Sequence, residues 1–289
     1  MKRYLGHRDR VMRLSDGRTL GYSDLGDPAG FPVVYCHGGL SSRVDAGSAD
    51  SPARAAGIRL LAPDRPGIGL STRNPGFTLA DWARDVADLT SHLRIDRFAS
   101  MGWSFGGAYA AAIGNYLPEK VSDVVLIASG IPRDWPGMMT EINSMDRVFL
   151  RFSGAGSLLD RVAFNAIRGM ASRTPSLFVK VTVRDLSAQS RGAIARDPQE
   201  FTRATTEGLA NPAGVVDDYR IWNAPWGFDL ATMNVPVQLW HGEDDELCPP
   251  EWSHRLAEAL PHATLTLVPD AGHWVARDHW PEIFAAIRS

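Results

Sequence analysis

Gly102-Trp103-Ser104-Phe105-Gly106-Gly107 lies between two stretches of opposite character. Before it runs Phe98-Ala99-Ser100-Met101, short and apolar as a buried strand is. After it, Phe105 to Leu117 is rich in Ala and Gly, the composition of a helix packed tightly against a sheet. A G-x-S-x-G between strand and helix puts the serine at the tip of a sharp turn. The glycines are a steric requirement, because side chains there would strike the closing chain while the serine holds strained backbone. The helix that follows aims its free N–H groups and positive dipole end at the serine. A Gly-rich turn with an incidental serine explains the six residues alone, but not their place between strand and helix.

On both sides of this turn the same kind of apolar run recurs: Val33-Val34-Tyr35-Cys36, Ile58-Arg59-Leu60-Leu61-Ala62, Val124-Val125-Leu126-Ile127-Ala128, Val237-Gln238-Leu239-Trp240 and Leu265-Thr266-Leu267-Val268. Runs this short and continuous suit strands of a parallel sheet covered on both faces. Helical stretches separate them. Leu79, Trp82, Ala83, Val86, Leu89 and Leu93 recur at helical spacing, Trp252 to Leu260 reads as a helix, and Pro281 to Ile287 begins with Pro, where a helix accepts it best. Strand and helix in alternation predict an α/β fold with a mostly parallel, twisted sheet flanked by helices. Ahead of it, Val11 to Leu14 and Thr19 to Tyr22 form a predicted hairpin around Asp16-Gly17.

The alternation stops between residues 133 and 233. That stretch carries helical patterns, such as Leu158 to Ile167, but no parallel-strand run. Sheet-type runs lie on both sides of it, so the expected organisation is a core in two parts, 1–132 and 234–289, with a largely helical insertion at 133–233.

Composition narrows the function classes. With 289 residues, 44% of them hydrophobic, the chain can bury enough apolar surface to offset its ordering entropy, which excludes disorder. A formal net charge of -3 gives no general attraction to nucleic acid or anionic membrane, and neither is expected as a partner. No apolar run approaches the roughly 20 residues of a membrane span, and the charged start Met1 to Arg10 lacks the apolar core of a secretory signal. Cys36 and Cys248 fit no disulfide framework or zinc spacing and read as buried, reduced thiols. The expectation is a soluble, cytoplasmic protein acting on a small molecule without metal or organic cofactor. Its oligomeric state is not legible.

A serine hydroxyl is a poor nucleophile until a base takes its proton. The candidate base is His273, in the loop Pro269-Asp270-Ala271-Gly272-His273-Trp274 after the last strand. His254, His262 and His279 lie on or beside helices, and His7 and His92 have no motif around them. The group that would orient the imidazole lies in His241-Gly242-Glu243-Asp244-Asp245-Glu246, where four acids in a row leave the choice open and His241 stands beside them. Chain order, serine then acid then histidine, suits this architecture. Two N–H donors for a developing oxyanion are expected from Phe105, the residue after the serine, and from Gly39 in His37-Gly38-Gly39-Leu40.

Taken together these segments resemble the α/β-hydrolase superfamily over nearly the whole chain outside the insertion. The resemblance rests on His37-Gly38-Gly39, Asp64-Arg65-Pro66-Gly67-Ile68-Gly69-Leu70-Ser71, Gly102 to Gly107, Gly242-Glu243-Asp244-Asp245 and Gly272-His273, with Asp278, Pro281 and Glu282 following. It implies Ser104 as nucleophile, Asp245 as the acid, His273 as the base, and Asp64-Arg65-Pro66-Gly67 as a structural loop. Haloalkane dehalogenases and epoxide hydrolases of this fold look different, with Asp at the nucleophile position. Carbon–carbon bond hydrolases are similar at Gly272-His273-Trp274 but carry Asn where this chain has Trp103. Proline iminopeptidases are similar at His37-Gly38-Gly39, with Pro in place of Leu40. Cofactor-free haloperoxidases share such triads, and a receptor-type relative is the non-enzymatic alternative. The implied activity is hydrolysis of a carboxylic ester. The insertion resembles a cap, whose expected pocket roof includes Trp135, Met138, Met139, Phe149, Phe152, Phe164, Phe178, Trp222, Trp226 and Phe228. Trp103 and Trp274 are further expected substrate contacts, and Met138 and Met139, beside Gly137, an adaptable entrance.

Overall fold

The apolar runs become one sheet of eight strands in a computed structural model, which describes residues 8–153 and 158–287, with side chains except those of residues 152, 153 and 158. The strands are β1 (Asp9–Arg13), β2 (Thr19–Gly26), β3 (Phe31–Cys36), β4 (Ile58–Pro63), β5 (Phe98–Trp103), β6 (Val121–Ile127), β7 (Val237–Gly242) and β8 (Ala263–Val268). Their order across the sheet is β1-β2-β4-β3-β5-β6-β7-β8. β2 runs antiparallel to both its neighbours, and every later pairing is parallel. The hairpin closes as its Asp-Gly step predicts, with Gly17 at φ +85° and its N–H bonded to the Leu14 carbonyl at 2.9 Å.

Two-sided burial explains the unbroken apolar runs. Val34, Cys36 and Leu61 face one core, while Val33, Tyr35, Leu60 and Ala62 face the other. On the first face pack α2 (Leu79–His92), α3 (Gly106–Tyr116) and α11 (Glu251–Ala259); on the second, α1 (Asp50–Ala55), the 3-10 turn Arg43–Ala49 before it, and α12 (Ala276–Ala285). Thr78 and Asp81 start α2 with a reciprocal cap, Asp81 N–H to Thr78 Oγ1 at 3.2 Å and Thr78 N–H to Asp81 Oδ2 at 2.8 Å. The last helix departs from expectation. It begins at Ala276, and Pro281 lies inside it, after a break at His279 (φ -123°) where the ladder of N–H bonds cannot continue.

Between β6 and β7 the described residues form no strand. Among the described residues seven α-helices fill this segment: α4 (Met138–Glu141), α5 (Ser144–Ser153), α6 (Leu158–Arg173), α7 (Pro175–Thr182), α8 (Ala188–Arg196), α9 (Pro198–Gly208) and α10 (Pro212–Trp222). Proline opens α7, α9 and α10, where its missing N–H has no partner to lose. The segment sits on the core through α9 and α10 at close approaches only glycine permits. A Cβ on Gly214 would lie 2.2 Å from the Gly67 carbonyl oxygen, and one on Gly208 2.3 Å from that of Ser41. No described helix is long and apolar enough to cross a membrane.

The order of strands places the site. From β3 the chain first moves to β4 on one side, then returns to β5 on the other, so β3 and β5 flank the point where winding reverses. Loops leaving such a point diverge and open a crevice at the carboxyl ends of the strands.

Candidate active site

Ser104 stands in that crevice, at the end of β5, with φ +56°, a left-handed conformation that side chains other than glycine seldom adopt. The neighbouring glycines make the turn possible. A Cβ on Gly106 would sit 2.0 Å from the Cys36 carbonyl oxygen, and one on Gly102 2.2 Å from that of Gly106. Ser104 N–H bonds the Ile127 carbonyl at 2.9 Å and its own carbonyl accepts from Gly107 N–H at 3.0 Å, so the strained residue is held from both sides. Phe105, which follows it, precedes the first residue of α3.

The loop after β3 closes over this turn. Beta-carbons on Gly38 and Gly39 would lie 2.8 Å from the Trp103 ring and 2.7 Å from the Phe105 ring. Glycine is therefore what lets the loop approach the residues on either side of the serine, and Gly39, Ser104 and Phe105 line one cavity. Fully buried Arg65 fixes the loop's course: its guanidinium bonds the His37 carbonyl, reaches the Gly38 carbonyl at 3.0 Å, and pairs with both oxygens of Asp218 on α10 at 2.8 and 2.7 Å. The Tyr109 ring lies 4.5 Å beneath it. Burial and the Arg65 charge hold His37 well below the usual imidazole range, so it is neutral, with Nδ1–H given to the Gly38 carbonyl at 2.9 Å.

His273 enters from the loop after β8. Its Nδ1 lies 2.8 Å from Asp245 Oδ2, and its carbonyl accepts from Trp103 Nε1 at 2.9 Å. Of the four adjacent acids, Asp245 is the one turned to the imidazole; Glu243 and Asp244 point to solvent. Both Asp245 oxygens are occupied: Oδ1 accepts from the N–H groups of Leu247 and Cys248 at 2.8 and 2.9 Å, and Oδ2 is also 3.1 Å from His241 Nε2. That second imidazole is held in turn. Nε2 faces the Cys248 carbonyl at 2.8 Å, which requires a proton there, and Nδ1 then accepts from Ser253 Oγ at 2.6 Å. Burial alone would raise the Asp245 carboxyl, but the charge of His273 and the bonds from both imidazoles hold it well below the usual carboxylate range. Burial would equally depress His273, and Asp245 overrides it to push the imidazole above its ordinary value.

Ser104 and His273 line the same cavity, of about 540 Å³. The lining is mostly apolar, with Trp103 and Trp274 beside the imidazole, their ring centroids 5.2 and 5.4 Å from it. A second group of lining residues is polar and went unnoticed in the sequence: Tyr35, Asp45, Glu200 and Arg277. Burial pushes Asp45 up to about 6 and Glu200 up to about 7, although Arg277 lies 3.0 Å from Glu200. Only the Asp45 and Glu200 side chains' final positions reveal this, since neither sits in a motif. Cys248, expected as a buried thiol, lies in the acid loop, and burial together with nearby carboxylates raises it well above the usual thiol range.

The helical segment corrects several expectations. Met138 and Met139 do not line the cavity: Met138 is fully buried in the core and Met139 packs against it, because the left-handed turn at Gly137 (φ +85°) directs this short helix inward. Met145 and Met170 line it instead. Phe164 stacks on Tyr219 and Phe149 packs tilted against both, Trp222 packs edge-on against Phe105, and Trp226 meets Phe228. Trp135 packs against the core. Of the expected roof, Phe178 alone is among the described lining residues. The Phe152 side chain and His7 lie outside the described residues.

Residues 32–279 match the family model for the alpha/beta hydrolase fold, and the chain belongs to that family. It is 26% identical to a probable proline iminopeptidase of Leptolyngbya boryana, covering 92% of this chain and 88% of the relative. It is 28% identical to haloalkane dehalogenase 2 of Mycobacterium tuberculosis, over 92% and 89%. Among solved structures, an esterase from Rhodococcus sp. ECU1013 superposes with a TM-score of 0.70 at 22% identity, over 97% of this chain and all (100%) of that one.

Proposed function

We propose that this member of the alpha/beta hydrolase family cleaves carboxylic esters through an acyl-enzyme, with Ser104 as nucleophile, His273 as base and Asp245 as the acid that orients it. One observation carries the reading: a serine forced into left-handed backbone by its neighbours shares a cavity with an imidazole that is bonded, through its far nitrogen, to a fully satisfied carboxylate. Ser104 Oγ attacks the ester carbonyl as Nε2 of His273 takes its proton. Asp245 stays ionised, fixes the Nδ1–H tautomer and stabilises the imidazolium. The N–H groups of Gly39 and Phe105 receive the negative charge on the carbonyl oxygen. Collapse expels the alcohol, which leaves with the proton from His273, and a water activated by the same imidazole releases the acid and restores Ser104.

The mostly apolar lining favours an apolar acyl group. Residues 133–233 act in this reading as a cap that supplies one wall, with Trp103 and Trp274 contributing to the other. Two free, buried thiols, Cys36 and Cys248, fit a reducing cytoplasm. Ser104 also argues against displacement of halide by a carboxylate nucleophile, which the side chain at this position does not offer.

The test is labelling with a fluorophosphonate and release of p-nitrophenol from a short acyl ester, each compared with Ser104→Ala. Labelling and release that vanish together in the variant support the reading. Absence of both in the native protein overturns it in favour of a binding role, and preference for a vinylogous diketone over every simple ester assigns the site to carbon–carbon cleavage.

A further inference from the structure

We infer that the imidazole side of the cavity is a subsite for an ammonium group, borne on the alcohol part of the ester. The inference rests on the ester reading for that placement. Its basis is Glu246. Both of its carboxylate oxygens are closed off from solvent and have no hydrogen-bond partner among the described residues, while the residue lines the cavity. Buried carboxylates are otherwise hydrogen-bonded, because an ionised oxygen taken from water without a donor is heavily penalised. Its neighbours obey the rule. Asp245 is fully occupied, as described above, and Asp146, which lines the cavity from α5, accepts from Asn143 Nδ2 at 2.7 Å and from the Tyr219 hydroxyl at 2.8 Å.

Among the described lining residues no Arg or Lys is free to serve Glu246. Arg277 is the one Arg or Lys among the described lining residues, and it is committed to Glu200 at 3.0 Å and to the Ala193 carbonyl at 3.0 Å. The same lining holds five carboxylates, Asp45, Asp146, Asp185, Glu200 and Glu246, of which Glu200 is paired with Arg277 and burial draws Asp45, Asp146 and Glu200 toward the neutral form. A cleft with low-dielectric walls and this imbalance concentrates negative potential, and it selects a ligand that brings both positive charge and donors. A primary ammonium brings three N–H groups to oxygens that lack them. Glu246 satisfies its desolvation through them, Asp146 adds attraction at longer range, and the Trp274 ring offers a face to the cation.

The position decides which end of the substrate carries the charge. The leaving oxygen must sit beside His273 to receive its proton. Glu246 directly follows Asp245, the partner of that imidazole, and both Glu246 and Asp146 act electrostatically on His273. An alcohol chain leaving past the imidazole therefore runs toward these two carboxylates, whereas the acyl chain lies among Leu40, Ile167, Met170 and Phe178.

The experiment uses matched butyrate esters, 5-aminopentyl and n-hexyl, followed by pH-stat at pH 7 and low salt with Ser104→Ala as blank. The ammonium ester is expected to exceed the neutral one at least tenfold in kcat/KM, the ratio collapsing toward unity in Glu246→Gln and shrinking as salt is added. A ratio near or below one in the native enzyme, or a tenfold ratio that survives Glu246→Gln, overturns the subsite. A binding arm separates this result from the fate of the ester reading. n-Hexylammonium should raise the melting temperature of the full chain, n-hexanol less so, and the difference should vanish in Glu246→Gln. No such difference overturns the subsite even where esters turn over; a Glu246-dependent difference in a protein that cleaves no ester supports the ammonium subsite and overturns the ester reading alone.

Discussion

At the carboxyl rim of the sheet, backbone geometry dictates residue identity. Ser104 is left-handed, Gly102 and Gly106 face carbonyl oxygens at distances no side chain tolerates, and the acid loop wraps its N–H groups around Asp245. In the helical segment between β6 and β7, side-chain packing decides instead: an aromatic residue either packs behind Tyr219, as Phe149 and Phe164 do, or faces the cavity, as Phe178 does, and either choice satisfies the same helical pattern. A rim position is therefore intolerant and legible in sequence. A wall position is replaceable, and it sets which substrate fits rather than whether chemistry occurs.

This contrast is tested most severely by Ser104→Ala and His273→Ala, expected to lower kcat by about 10⁶ while leaving the melting temperature near that of the native protein. Asp245→Asn should lower kcat by about 10⁴, against little change for Asp244→Asn; equal losses in steady-state assays would mean that the acid role is shared. The pH profile sharpens the same point. On the proposed roles only neutral imidazole can take the proton from Ser104, so kcat/KM is expected to rise with pH through the His273 midpoint, which Asp245 holds above the ordinary value. Asp245→Asn removes that support, and the acid limb of the profile should move to lower pH.

Between rim and wall, Asp218→Ala leaves Arg65 buried and uncompensated, and should reduce stability by about 3–5 kcal/mol in urea titrations. Met138→Ala, a core truncation, should destabilise by about 2–5 kcal/mol with KM unaltered in the surviving folded enzyme. Met145→Ala should do the reverse, changing KM for acyl chains of different length by about the 5- to 30-fold that one to two kcal/mol of lost contact gives, with denaturation unaffected. A larger kinetic effect from Met138 than from Met145 would break the distinction.

Legibility followed the same division. Strand runs such as Val33 to Cys36 are legible because burial on both faces leaves no polar alternation, and the placement of Ser104 and His273 beside one cavity because their surroundings demand glycine. The choice of Asp245 among four acids needed either the family resemblance or the coordinates, since all four share one loop and only direction separates them. Pro281 was read as a start where it follows a break, as a residue without N–H permits both. Met138 and Met139 were assigned to the entrance on flexibility alone, which says nothing of which way a four-residue helix faces. Arg65 was read as part of a structural loop, correctly as to place, but its bond to Asp218 spans 153 residues and no local pattern announces it.

The footings of the helical segment set the terms on which its walls can be exchanged. Gly208 and Gly214 accept the carbonyls beneath them, Asp218 meets Arg65, and Asp217 meets Arg73 with oxygen contacts of 2.5 and 3.1 Å. All four sit on α9 and α10, whereas Met145, Met170 and Phe178 sit on α5, α6 and α7. Further ties to the core lie on α8, where Ser190 Oγ accepts from His273 N–H at 3.2 Å, and on α4, where Glu141 accepts from Trp252 Nε1 at 2.7 Å. A chimera that imports foreign helices over residues 144–182 alone and keeps these moorings would inherit a new specificity on an undisturbed foundation; one that replaces the moorings as well would have to reinvent the joint.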